Sequence, residues 1–156
     1  MHKEKKLVVI SHAPSVNTKK MLEAVIKGAT NDEITNINVE SISPLDTRPD
    51  DIKTAHALII GTTENLGYMA GLIKDVFDRC YYPCLESTEG LPFTFYVRAG
   101  NDGTGTRRAI ESITTGLSWR LVQEPLICRG EFTEEFITQC EDLGMTMAAS
   151  LEAGII

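Results

Sequence analysis

The sequence predicts a three-layer α/β sandwich on a five-stranded parallel sheet of order 2-1-3-4-5, a single domain over residues 1–156. Three observations predict it. Short apolar runs alternate with amphipathic stretches of helical period along the whole chain, the pattern of parallel strands joined by crossover helices. Two of those runs, residues 7–10 (LVVI) and 57–60 (ALII), are continuously apolar, as strands buried on both faces are. The run from Ile37 to Glu40 alternates apolar and polar residues, and the last run contains Pro125, so both read as edges. With right-handed crossovers, that assignment favours the order 2-1-3-4-5.

The elements follow in order. After the first strand, Met21, Leu22, Val25, Ile26 and Ala29 recur at helical spacing, with Lys19, Lys20, Glu23 and Lys27 on the other face. A turn-rich connection over residues 43–49 leads to one helical turn after Pro49. The third strand ends at Gly61, and Met69, Leu72, Ile73, Val76, Phe77 and Cys80 mark a second long helix whose exit Pro83 and Gly90 bound. Residues 93–97 (FTFYV) suit a strand. Ala109, Ile110, Ile113 and Leu117 then give a helix ending near Gly116 or Trp119, with Trp119 assigned to packing. A last strand over residues 121–128 precedes a helix capped by Thr133, with Phe136, Ile137, Cys140, Leu143 and Met147 facing the core.

Composition excludes several classes of function. Hydrophobic residues at 42% and charged ones at 24% are ordinary for a globular domain. A net charge of −7 argues against nucleic acid, whose binding rests on clustered Lys and Arg, and suits solubility or docking to a basic protein. Cys80, Cys84, Cys128 and Cys140 lack metal-ligand spacing and read as reduced, mostly buried thiols, so no metal is expected. No run approaches the ~20 apolar residues of a membrane span. The basic opening over residues 1–6 precedes too short an apolar run for a signal peptide, so a cytoplasmic protein is expected.

In the predicted order the topological switch point lies between strands one and three, where three loops converge. The first comprises Ser11, His12, Ala13, Pro14, Ser15, Val16, Asn17 and Thr18. It is a hydroxyl-rich turn at a helix start, where unpaired N–H groups and the positive end of the macrodipole suit a phosphate. The plainer reading has Asn17 or Thr18 capping the helix and Ser15 closing a turn. The second loop is Thr62, Thr63, Glu64, Asn65, Leu66, Gly67 and Tyr68. The third is Arg98, Ala99, Gly100, Asn101, Asp102, Gly103, Thr104 and Gly105. Gly67, Gly100, Gly103 and Gly105 would let backbone approach a flat ring, or serve as ordinary turn glycines.

Residues 61–79, GTTENLGYMAGLIKDVFDR, resemble the loop-plus-helix segment of the flavodoxin family and its relatives, the NAD(P)H-dependent FMN reductases and quinone reductases. A Gly-Thr start leads there to Gly67, Gly71, Lys74 and Asp78 at the family's spacing, and Ser11, Ser15, Asn17 and Thr18 are similar to its phosphate loop. The resemblance covers essentially the whole chain. It implies FMN bound non-covalently, phosphate on the first loop and ring between the second and third. The chain departs from the family at Val16, where a glycine is usual, and in the third loop, which has no aromatic to stack on the ring. Leu66 and Tyr68 are left as ring contacts, and an uncovered ring face would leave room for a nicotinamide or quinone.

The resemblance therefore implies an oxidoreductase that passes hydride from NAD(P)H to the flavin N5 and on to a quinone, free flavin or similar acceptor. Its chemistry is the cofactor's, so no catalytic acid–base pair is expected. Glu64 and Asp102 either touch the ribityl chain or ring edge or are solvated carboxylates. Arg98, Arg107 and Arg108 either attract a nicotinamide-cofactor phosphate or form surface ion pairs. His12 either donates to the phosphate or is a half-exposed structural histidine. The alternatives are a non-enzymatic flavodoxin-type carrier and a cofactor-free binding or regulatory domain. A phosphoacceptor receiver shares the strand order but needs acids after the first strand and an Asp after the third, where Ser11-His12 and Gly61-Thr62 stand. Expected partners are a small-molecule or protein redox partner, with a homodimer admitted and neither nucleic acid nor membrane.

Overall fold

A computed structural model describes residues 4–156; the first three residues of the basic opening lie outside the described residues. The chain runs β1 (Lys5–Ser11), α1 (Val16–Ala29), β2 (Ile37–Ile42), a 3-10 turn (Pro44–Asp46), α2 (Pro49–Lys53), β3 (Ala57–Asn65), β4 (Tyr68–Met69), α3 (Gly71–Cys84), β5 (Pro92–Ala99), α4 (Thr104–Gly116), β6 (Arg120–Leu121), β7 (Leu126–Arg129) and α5 (Glu134–Glu152). The main sheet has the order β2-β1-β3-β5-β6, all parallel, and β7 also pairs with β5 in parallel. With β6 and β7 taken as two pieces of one strand, the predicted order 2-1-3-4-5 holds.

The split of that last strand is a departure from the expected continuous run over residues 121–128. β6 pairs with Pro92 and Phe93, β7 with Tyr96 to Ala99, and residues 122–125 bulge between them. Pro125 cannot donate to the ladder. The Thr94 hydroxyl donates instead to the Gln123 carbonyl at 3.0 Å, stitching the bulge to β5.

Alternation along the central strands sends side chains to two cores. On one face Leu7, Val9, Ile59 and Tyr96 meet α1 and α5 through Met21, Val25, Leu143 and Met147. On the other, Val8, Leu58, Phe93 and Phe95 meet α2, α3 and α4 through Ile52, Ile73, Phe77 and Ile110. Trp119 is buried there, packed against Phe77 and Phe93, with its indole N–H donating to Thr88 Oγ1 at 2.8 Å. It is a packing residue, as expected. All four cysteines are buried free thiols.

Several boundaries move. Ser15, not Asn17 or Thr18, caps α1: its side chain accepts from the Thr18 N–H, and Thr18 Oγ1 accepts from the Ser15 N–H. Met69 belongs to β4 rather than to the helix after it, and Pro83 sits inside the last turn of α3. β5 reaches Ala99 and α4 begins at Thr104, so the third loop shrinks to residues 100–103 and Gly105 is helical.

Candidate functional site

Because β1, β3 and β5 are adjacent and parallel, their carboxyl ends present the first loop, the β3–β4 segment and the β5–α4 loop side by side. Direct contacts link them. The His12 N–H donates to the Gly61 carbonyl at 2.9 Å, joining the first loop to β3. Glu64 accepts from the Asn101 and Gly103 N–H groups, joining β3 to the third loop. A Cβ on Gly105 would overlap the Gly67 carbonyl, so the second segment lies directly on the first turn of α4.

The second segment is not an irregular loop. β3 continues to Asn65 and returns as β4, with Asn65 opposite Tyr68 and Glu64 opposite Met69. Only Leu66 and Gly67 remain in the turn, with φ of 54° and 75°, both positive as a type I′ hairpin requires. Sequence reasoning missed this hairpin because Leu is disfavoured in the left-handed region, so the pair carries no Asn-Gly-like signal.

The expected site residues divide into two sets. Some are committed to the scaffold. Ser11 is buried, its Oγ 2.8 Å from the Tyr96 hydroxyl, so this side chain faces the α1–α5 core instead of the loop. The buried Thr62 hydroxyl accepts the Ala70 N–H at the start of α3, and Thr18 completes the capping box of α1. Ala99 is buried, and so is Gly103, whose φ of 74° and proximity to Ile127 exclude a side chain. The Thr63 hydroxyl donates to Asn65 Oδ1 within the hairpin.

The others remain at the surface: Ser15, Val16, Asn17, Asn65, Leu66, Gly67, Tyr68, Gly100, Asn101 and Asp102. Val16, Leu66 and Tyr68 are large apolar side chains exposed at this rim. His12 is half-buried, and burial lowers its pKa, which favours the neutral ring. It lines an open groove of about 320 Å³ with Lys19, Leu22, Ser41 and Ser43 on the β2 side of the first loop.

The charges at the rim have identifiable partners. Asp102 Oδ1 accepts the Thr104 N–H at the start of α4, which holds its carboxyl below the usual range. Arg98 donates to the carbonyls of Ala99, Cys128 and Gly130 and lies over the rings of Phe132 and Phe136. It is a strut between β5 and β7, bonded to main-chain carbonyls where a surface ion pair was the expected alternative to a cofactor-phosphate contact. Arg107 pairs with Glu111 and Glu124, whereas Arg108 is exposed. Glu64, one of the two loop acids, is not simply solvated.

The first turns of α1, α3 and α4 contain no acidic residue, whereas α2 begins with Asp50 and Asp51 and α5 with Glu134 and Glu135. With Ser15 satisfying Thr18, the Val16 and Asn17 N–H groups at the positive end of the helix are left to an outside acceptor. Among the described residues there is no cluster of His, Cys, Asp or Glu suited to a metal, and no helix is long and apolar enough to cross a membrane.

No protein-family model matches the chain. A flavodoxin of Aquifex aeolicus (strain VF5) is 29% identical over 112 residues, a match that covers 72% of this chain and 60% of that protein. Among solved structures, a flavodoxin from the domain Archaea superposes with a TM-score of 0.79 at 22% identity, over 94% of this chain and 98% of the other. An NADH:FMN oxidoreductase in its apo form superposes with a TM-score of 0.67 at 16% identity, over 94% and 89%. At such identities the likeness to solved structures is one of fold.

Proposed function

We infer that this chain, a member of the flavodoxin-like fold family, binds FMN at the carboxyl ends of β1, β3 and β5 and works in electron transfer. The observation that carries the reading is the start of α1: a helix N-terminus at the end of β1 with two uncommitted backbone donors, on the same edge of the sheet as the β3–β4 hairpin that exposes Leu66 and Tyr68. The donor set fits the cofactor at its phosphate end. Val16 and Asn17 N–H groups, with the Asn17 side chain, would hold the phosphate against the helix dipole. Leu66 and Tyr68 would lie along the ring and shield it from water. Gly100 and Asn101 would border its polar edge. Bound FMN supplies one- and two-electron redox chemistry. The protein's part is to hold the ring between two backbone segments and leave one side accessible, and it requires no general acid or base.

The finer reading is an NAD(P)H-dependent oxidoreductase that delivers electrons to a quinone, free flavin or similar acceptor in the cytoplasm. The short third loop without an aromatic favours it, because nothing there covers the outer side of the ring. The second reading is a flavodoxin-type carrier. The Aquifex similarity and the net charge of −7, suited to docking on a basic protein, favour that one.

Reconstitution with FMN followed by a visible spectrum tests the common premise. Stoichiometric uptake with flavin bands is expected, and no uptake would leave a cofactor-free binding domain. An anaerobic NADH or NADPH titration then separates the two finer readings. Bleaching within seconds supports the reductase, and an oxidised spectrum persisting for many minutes assigns the carrier.

A further inference from the structure

The β5–α4 loop aims two backbone donors at the end of β3, and a carboxylate of the chain itself takes both. The Asn101 N–H donates to Glu64 Oε1 at 2.6 Å, and the Gly103 N–H donates to Oε2 at 2.9 Å. One oxygen per donor, with the donors two residues apart, is how a backbone turn grips an anion. The loop is shaped for that grip. Gly103 turns through a φ of 74°, where a Cβ would strike Ile127 Cγ2. Asp102 stands between the two donors, yet its carboxylate caps Thr104 and its carbonyl accepts from Arg129. The loop's own acid is thus directed elsewhere.

Glu64 comes from the strand that forms the hairpin, and the Gly67 carbonyl at the hairpin tip lies against Gly105. The second and third segments are therefore closed on each other, with the third loop's inward donors spent on an internal acceptor. A planar ligand seated between them would need those donors for its own carbonyl edge.

We propose that Glu64 is a carboxylate latch: it occupies the Asn101 and Gly103 N–H donors in the ligand-free protein and leaves them when a flat ligand with an acceptor edge binds between hairpin and loop. The proposal rests on the flavin reading above and takes the carbonyls of the flavin's pyrimidine ring as that edge. A charged acceptor outbids a neutral carbonyl for the same N–H, so the latch favours the closed form. The competent state is then a minor one, and apparent affinity falls by its population. Glu64 is in this sense a positioning residue that sets how readily the site opens.

Two variants test the latch. Glu64→Gln keeps the shape but offers one acceptor and turns an NH2 donor towards the second N–H; Glu64→Ala removes both acceptors. Amide hydrogen exchange at Asn101 and Gly103 is read by NMR without ligand, and FMN association is followed by stopped-flow quenching of flavin fluorescence. Exchange at both amides should rise about tenfold or more in each variant, the scale expected for losing a hydrogen bond to a charged group. FMN association should accelerate by a similar factor, while exchange at Thr18, in the capping box of α1, stays unchanged. Unchanged exchange at Asn101 and Gly103 overturns the latch. So does faster exchange with slower association, which would make Glu64 an organiser of the loop. FMN binding to wild type and variants at one common rate overturns the latch alone, whereas failure of every form to take up FMN overturns the flavin reading and the competition together.

Discussion

Ser11 Oγ and the Tyr96 hydroxyl lie 2.8 Å apart, joined across the face of Gly61. The three residues stand level on adjacent strands, Ser11 beside Gly61 and Gly61 beside Tyr96. A Cβ on Gly61 would fall 2.5 Å from both oxygens, so this glycine makes room for the bond beneath the first loop. Gly61→Ala should lower stability by about 1–3 kcal/mol through overpacking. Tyr96→Phe should cost about 1–3 kcal/mol by stranding a buried hydroxyl. Adding Ser11→Ala to Tyr96→Phe should cost less than the two separately, because the partners share one bond. Urea denaturation of the wild type and the four variants checks this, and an unchanged midpoint for Gly61→Ala would contradict the close approach.

Alkaline pH should unfold the chain from both of its cores. Burial pushes the Cys84 thiol from 9.0 up to about 11, and burial also raises Tyr96 above its ordinary value. Both stay neutral in the folded protein while their unfolded counterparts ionise. Folded-state values above unfolded ones mean that this stability is complete below about pH 9 and is lost as pH rises toward 11. Each such group contributes a slope of about 1.4 kcal/mol per pH unit within its window. Urea midpoints between pH 8 and 11 should fall accordingly, and Cys84→Ala should make the fall shallower.

Strand and helix positions were legible because continuous apolar runs and helical periods are local properties of the sequence. Pro125 revealed the edge, and the alternation at Ile37 revealed the other. What was not legible depends on distant register. Glu64 meets Asn101 and Gly103 only because Leu58 aligns with Phe93 in the β3–β5 ladder, which brings the two loop starts level. Tyr96 lies under Ser11 for the same reason. The hairpin was hidden by Leu66, and the capping role of Ser15 by the equally good caps that follow it.

The α1–α5 contact depends on a reciprocal pair of glycines. A Cβ on Gly28 would overlap the Glu141 carbonyl, and one on Gly144 would overlap the Val25 carbonyl. Each glycine admits the other helix's backbone. Alanine at either position should cost about 1–3 kcal/mol by forcing the helices apart. The double variant should cost less than the sum, since the first substitution already opens the space for the second. Additive losses in thermal or urea unfolding would argue against a shared displacement.

Arg98 should behave as a structural residue. Its guanidinium serves three carbonyls at 2.7–3.1 Å, a fork that a lysine ammonium cannot reproduce. Arg98→Lys should lose about 2 kcal/mol of stability, counting the lost hydrogen bonds to a charged donor. NADPH and NADH should reduce bound flavin in the same ratio as in wild type. A selective loss with NADPH would restore Arg98 as a phosphate contact.

The hairpin tip trades stability for an exposed apolar side chain. Leu66 holds a φ of 54°, a conformation that costs an ordinary L-residue about 1–2 kcal/mol. Its side chain buries nothing in compensation. Asn at this position suits a type I′ turn followed by glycine, so Leu66→Asn should raise stability by about 1 kcal/mol, read from the urea midpoint. With Leu66 as the ring contact proposed above, the same variant should release FMN several-fold faster. A gain in stability with unchanged FMN dissociation would assign the ring contact to Tyr68 instead. That outcome would leave the strain at Leu66 without a ligand-binding purpose.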